Sequence, residues 1–182
     1  VPVKELLTLK DATFAHGRQM GKTLILPVRW NLATAKPVLG TNPAEKLLTN
    51  GIRGSLKYSD FEWCSWADND SVSFTIDLLK PEVLNTLILG CITNNGMAIH
   101  KPASVRVEVS DDNSKFREAV VQSFTSEEIF REGNFIENLS LKLGGTQARY
   151  VRVTAKGPGV CPASHVRPGQ TSRIFFDEVI LE

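Results

Sequence analysis

The sequence predicts an all-β, antiparallel sandwich of jelly-roll or other Greek-key topology, and three observations predict it. Apolar and polar residues alternate with period two along most of the chain, turn-forming clusters interrupt that alternation at short intervals, and no long segment places apolar residues at helical spacing. With 182 residues, 42% of them hydrophobic, the chain has material for one domain with a sizeable core and too little for two comfortable ones.

The first thirty residues fit this pattern least. Lys4 to Leu9 and Lys22 to Val28 are strand-like but are divided by the polar stretch His16 to Gly21. Residues 1–30 therefore read as a leader, as the tail of a preceding domain, or as extra strands on the sandwich edge, with Trp30 covering that edge. The segment Leu47 to Trp66 follows. Its dipeptides Asn50-Gly51 and Arg53-Gly54 favour turns, and its rings Phe61, Trp63 and Trp66 are rimmed by Asp60, Glu62, Asp68 and Asp70. Rings held on a loop form either a sugar-stacking platform or a lid folded back over the core.

The cleanest strand runs from Ser71 to Leu78, with Val72, Phe74, Ile76 and Leu78 on one face and Ser71, Ser73, Thr75 and Asp77 on the other. Thr86 to Thr93 is apolar on both faces and reads as a central strand, with Cys91 in the core. Half-buried strands recur at Val105, Val107 and Val109, at Leu139, Leu141 and Leu143, and at Val151 and Val153, while Ser126 to Arg131 has room for one helical turn. The last strand lies within Arg173 to Glu182. Turns separate these elements at Lys80-Pro81, Asn94-Asn95-Gly96, Asp111-Asp112-Asn113, Gly144-Gly145 and Gly157-Pro158-Gly159.

Composition and motifs exclude several functions. A net charge of +1 offers no broad basic field for nucleic acid or an anionic bilayer. No apolar run is long enough for a transmembrane segment, and the Val1-Pro2-Val3 start, without a signal-like region, reads as a fragment cut from something longer. Three scattered cysteines, Cys64, Cys91 and Cys161, make no disulfide framework. Gly17 to Thr23 is one residue short of a phosphate loop and has no clear helix after it. Cys161 and His165 are two candidate metal ligands where structural zinc takes about four, and no C-x-x-C pair accompanies them, so they read as an ordinary loop cysteine and histidine. Nothing local activates Cys64 or Cys91 as a nucleophile with His100 as base. A glycosidase would need two carboxylates about 5 to 10 Å apart across a cleft, a pairing that linear spacing does not reveal among Asp60, Glu62, Asp68, Asp70 and Glu178.

An ordered set of motifs then carries a family resemblance. Asn31-Leu32-Ala33-Thr34-Ala35-Lys36-Pro37-Val38 resembles the opening of discoidin-like modules, also called coagulation-factor type C domains. Leu48-Thr49-Asn50-Gly51 is similar to the family turn with Asn50 for an aspartate, and Asp77-Leu78 closes a family-like strand. Lys101 to Val105 with Val107, Val109, Ser110 and Asp111, then Ala148 to Val153, then Phe176-Asp177-Glu178-Val179, continue it in order to Glu182. Gly51 to Ser55, Gly157 to Pro162 and Ile174 to Glu178 look most like the C-terminal module of Bacteroidetes β-hexosaminidases and chitobiases. The resemblance implies an eight-stranded jelly-roll sandwich over residues 31–182 and a non-catalytic role. That role is glycan binding within a secreted glycosidase, exported to the periplasm or cell surface, with the catalytic domain of the same polypeptide as partner. The alternative is a structural or protein-interaction module that packs on the catalytic domain without a ligand of its own.

The resemblance also implies site residues. Such modules often hold one structural calcium, and the matching positions are the carbonyl of Leu47 or Leu48, the Asn50 amide oxygen, the Ser55 hydroxyl and Glu178. Calcium takes about six to eight oxygens, so Asn50 in place of a carboxylate weakens such a site, and Arg53 would repel the ion if it pointed inward. Without calcium, Asn50 and Glu178 would tie loop to strand by hydrogen bonds. Glycan contacts fall on the loops at one end of the sandwich: Phe61 and Trp66 on the first, Asn94, Asn95 and His100 on the second, His165 and Arg167 on the last. Trp63 reads as a core tryptophan, and Met97, Ala98 and Ile99 as a weak version of the protruding apolar tips with which discoidin relatives bind proteins or lipid.

Overall fold

Period-two alternation folds here into strands that are longer than the sequence pattern shows. The computed structural model describes residues 47–66 and 71–182 throughout, together with the backbone of residues 13–14, 18–19 and 29–32. Strands β1 (Thr13–Phe14) and β2 (Arg18–Gln19) form a two-stranded ribbon, so part of the phosphate-loop-like segment is strand. The strand-like stretches Lys4 to Leu9 and Lys22 to Val28 lie outside the described residues, as do Asp68 and Asp70.

The sandwich is built from β3 (Arg29–Leu32), β4 (Cys64–Trp66), β5 (Ser71–Asn94), β6 (Ser104–Ser110), β7 (Arg117–Ser123), β8 (Asn134–Lys156) and β9 (Ile174–Leu181). Helix α1 (Ser126–Ile129) is one turn closed by a capping box, Thr125 and Glu128 each bonding the other's backbone N–H, a signal already present in the T-x-x-E spacing. Every strand pairing in the sheet is antiparallel.

β5 and β8 each pass through both layers. Ser71 to Asp77 pairs with Tyr150 to Lys156 in one layer, ordered β3-β5-β8-β6-β7, and Thr86 to Asn94 pairs with Asn134 to Lys142 in the other, ordered β8-β5-β9-β4. The corner is marked by positive φ at Leu79, 69°, on β5 and at Gly144 and Gly145, 64° and 78°, on β8. Asp77 secures it by accepting the Leu79 N–H at 2.8 Å and both arms of the Arg149 fork at 2.8 and 3.0 Å. Ser73, Thr75 and Asp77, on the face opposite Val72 and Phe74, are buried as well, and the neighbouring strand supplies partners such as Thr154 Oγ1, 3.0 Å from Ser73 Oγ.

Leu87, Leu89 and Cys91 point into the main core with Val72, Phe74, Val107, Leu141, Val153 and Phe176. Ile92, on the opposite face of β5, joins Trp63, Ile99 and Phe175 in a second apolar cluster. This accounts for the two-faced apolar character of Thr86 to Thr93. Within the Leu47 to Trp66 segment, Trp63 and Trp66 fold back onto the core as a lid does, while Phe61 stays exposed. Trp63 is buried, its Nε1–H donates to the Ser55 carbonyl at 2.9 Å, and its ring lies flush against Gly54.

A methyl group at Gly54 would sit 2.2 Å from Trp63 Cε2, a rigid neighbour that cannot yield. Gly54→Ala is expected to lower unfolding stability by about 1–3 kcal/mol in urea titrations with an unchanged m-value; a wild-type midpoint would show that Trp63 does not hold the loop down.

Candidate functional site

The turn at Asn50 to Ser55 is fastened to β9 through buried carboxylates. Arg53 points inward and its Nε donates to Asp177 Oδ2 at 2.7 Å, an oxygen that also accepts the Gly54 N–H at 3.0 Å. Glu178 Oε2 accepts the Gly51 N–H at 3.0 Å, and the Val179 N–H donates to the Leu48 carbonyl at 2.8 Å. Gly90 is the floor beneath the ion pair: a Cβ there would overlap Asp177 Oδ1 and Arg53 Nη2. Burial raises the Asp177 carboxyl against the opposing pull of Arg53. Glu178 is pushed up to about 9 by burial first and by the adjacent Asp177 charge second, so it keeps its proton at neutral pH.

These contacts decide how well the family's calcium fits. Asn50 Oδ1 accepts the Ile52 N–H at 2.7 Å, while its amide donates to Glu62 Oε2 at 2.8 Å. Ser55 Oγ is exposed and accepts the Lys57 N–H at 3.2 Å, and the Leu48 carbonyl is taken by Val179. Asp177 Oδ1 and Glu178 Oε1 are buried without hydrogen-bond partners, but the Arg53 guanidinium already stands beside Asp177. Among the described residues, the Asn50, Ser55 and Leu48 oxygens are engaged elsewhere and a guanidinium stands beside Asp177, a donor set that does not fit calcium.

At one end of the sandwich the loops before β4, after β5, before β8 and before β9 converge. Asn134 Nδ2 donates to the Leu56 carbonyl at 3.4 Å, the Asn95 N–H to the Gly133 carbonyl at 3.1 Å, and Arg167 Nε to the Gly96 carbonyl at 2.5 Å. Asn95, His100, His165 and Arg167 are thus brought together from two distant loops, as the sequence reading required. Asn94 is half-buried and pairs with Ile99 through both backbone groups.

Their burial corrects the role expected of most of them. His100 is 0% exposed and His165 and Asn95 are each 8% exposed, so these polar groups form an interior set beneath the loops and do not face a glycan. His165 Nδ1 accepts the Arg167 N–H at 3.0 Å, which leaves Nε2 as the protonated nitrogen donating to Asn95 Oδ1 at 2.6 Å. The His100 ring packs edge-on against His165 and Phe130, both at 5.0 Å between centroids. Neither His100 nitrogen makes a hydrogen bond of ordinary geometry. Burial, reinforced by His165 and partly offset by the Ile129 backbone, lowers its pKa to about 4.

Cys161, set aside from sequence, joins this set: one ligand atom each from His100, Cys161 and His165 lie within 4.8 Å of one another. The four-residue spacing of Cys161 and His165 was the visible half of the signal. The missing half was His100, which strand pairing alone brings near.

Trp66 requires a plain correction. It is 2% exposed and packs against Phe176 with ring centroids 5.7 Å apart, so it is a core residue and not a sugar contact. The alternation that begins at Cys64 carries it inward. The tip at Met97, Ala98 and Ile99 does not protrude either, since Ala98 and Ile99 are fully buried and Met97 packs on the second cluster. Cys91 is core, and burial raises its thiol well above the usual range, with Glu137 adding to the effect. What the converging loops expose is Phe61, 70% accessible, with Arg167, and Arg131 stacked 3.9 Å from the Phe135 ring centroid.

The described residues form an antiparallel sandwich with loops gathered at one end. Residues 33–166 match the model of the F5/8 type C domain, and the chain belongs to that family. No curated protein sequence matches it. Among solved structures it is similar to a CBM32 module from Clostridium perfringens in complex with GalNAc-β-1,3-galactose, at 14% identity, TM-score 0.54, covering 85% of this chain and 93% of that one. It is similar to a fucose-binding module of Streptococcus pneumoniae at 16% identity, TM-score 0.53, covering 89% and 98%. The C-terminal domain of a chitobiase from Bacteroides fragilis is comparable at 16% identity, TM-score 0.51, covering 88% and 97%.

Removing Arg53 leaves the Asp177 charge buried beside a fully buried neighbour. Arg53→Met is expected to cost roughly 3–5 kcal/mol in chemical denaturation, and Asp177→Asn in that background to recover part of the loss. Additive single-mutant costs would mean that the two side chains do not act as a pair.

Proposed function

We propose that this chain is a non-catalytic carbohydrate-binding module that recognises a glycan through the loops gathered at one end of its sandwich. The observation that carries the reading is the likeness over nearly the whole fold to modules described as a GalNAc-β-1,3-galactose complex and as fucose-binding. The exposed Phe61 ring offers an apolar face of the kind that stacks on a pyranose, and the exposed Arg167 on the loop before β9 offers directional donors to hydroxyls. On this reading Phe61 takes the stacking role that Trp66 cannot. The parent protein is a secreted glycosidase of the β-hexosaminidase or chitobiase kind, a reading supported by the likeness to the chitobiase C-terminal domain. The module is then exported with its catalytic domain, to the periplasm or cell surface.

We propose further that the Asn50 to Ser55 turn is held by Arg53, Asp177 and Glu178 in place of the family's calcium, an assignment supported by the engaged oxygens of Asn50, Ser55 and Leu48.

A glycan-array screen of the purified chain is expected to find at least one bound galactose-, GalNAc- or fucose-containing glycan. Phe61→Ala and Arg167→Ala should each weaken that binding by about tenfold or more, roughly 1.4 kcal/mol, without shifting the melting temperature. Failure to bind any glycan would favour a packing module that serves only its catalytic domain. Melting curves in chelator and in millimolar calcium should superimpose; a calcium-dependent rise of several degrees would restore the metal to the turn.

A further inference from the structure

We propose that His100, Cys161 and His165 form a binding site for a borderline-soft, thiophilic divalent cation of the zinc class. Two independent observations meet here. The ligand atoms of the three side chains lie within 4.8 Å of one another, close enough for a single ion to bridge them. His100 is fully buried and neither ring nitrogen has a hydrogen bond of ordinary geometry, the Ile129 backbone offering only a partial contact, a costly state for a polar group unless something else satisfies it.

The donor types select the cation. Two imidazoles and a thiol suit zinc, whose ligand distances are about 2.0–2.3 Å, and are poor ligands for calcium or magnesium, which take oxygen. Three protein ligands leave a fourth position for a water or for the Ser172 hydroxyl, which already interacts with Cys161. His165 is prepared for the task. Its Nε2–H is held by Asn95 Oδ1 at 2.6 Å, the outer contact that normally fixes the tautomer of a metal-binding histidine, and the lone pair is thereby placed on Nδ1. That lone pair now accepts the Arg167 N–H, so capture of a cation displaces this backbone contact and couples the site to the loop carrying Arg167. On binding, the Cys161 S–H proton passes to solvent and the thiolate ligates the ion, with no change of oxidation state.

The bound ion would pin the loop before β9 to the loop after β5, since Cys161 and His165 lie on the former and His100 on the latter. This is a structural role beneath the glycan-facing surface and is independent of whether that surface binds sugar.

The test uses the untagged full chain, stripped with chelator, dialysed against zinc and passed through gel filtration, with metal content read by elemental analysis. One equivalent of zinc should remain bound, and zinc should raise the melting temperature. Cobalt(II) should give the charge-transfer absorption of a thiolate ligand. Cys161→Ser should lose the retained zinc and that absorption while keeping the wild-type circular dichroism spectrum, and Asn95→Ala should weaken zinc about 10–100-fold. Absence of retained zinc in the wild type, or retention unchanged in Cys161→Ser, would overturn the proposal.

Discussion

Everything at the first loop depends on one buried ion pair. Arg53 reaches Asp177 at 2.7 Å with Asp177 fully shielded from water, and the pair fits only because Gly90 presents no side chain beneath it. A buried charge without a partner is severely destabilising, so the inward path of the Asn50 to Ser55 turn is set by the need to bring Arg53 to β9. The turn in turn carries Gly54 against Trp63, and Trp63 closes the apolar cluster over Ile92 and Phe175. Loop, last strand and outer cluster form one connected unit.

The same interaction places a cation at the turn. A cation is needed where Asp177 and Glu178 lie side by side in a dry environment, and two groups meet that need: the Arg53 guanidinium and the proton kept by Glu178. Asn50, which has no charge to offer a metal, turns its oxygen to the Ile52 N–H and its amide to Glu62.

At the opposite register of the loops, polarity is layered. Asn95, His100 and His165 were chosen from sequence as ligand contacts because they are polar loop residues, and polarity alone does not tell a surface group from an interior one. Their convergence was legible; their depth was not, because it depends on Phe130 and on the backbone that closes over them. Trp66 was misplaced for the complementary reason. It is a ring at the end of an aromatic loop, yet it belongs to β4, where the register opposite Ile174 turns it toward Phe176. Phe61, five residues earlier in the same loop, is the ring left outside.

Alternation and turn chemistry by themselves determined the antiparallel sandwich, the central position of Thr86 to Thr93 and the core role of Cys91, and ordered motifs determined the family and, through its resemblance, the core reading of Trp63. These properties are local, repeating every two residues or residing in a single turn. Only the tertiary structure decided that Arg53 meets Asp177, that Cys161 meets His100, and that Trp66 is core while Phe61 is surface. Each of these depends on which strand lies beside which and on how much water is excluded there, and the chain acquires both only when β5 and β8 bend through the two layers and close the sandwich.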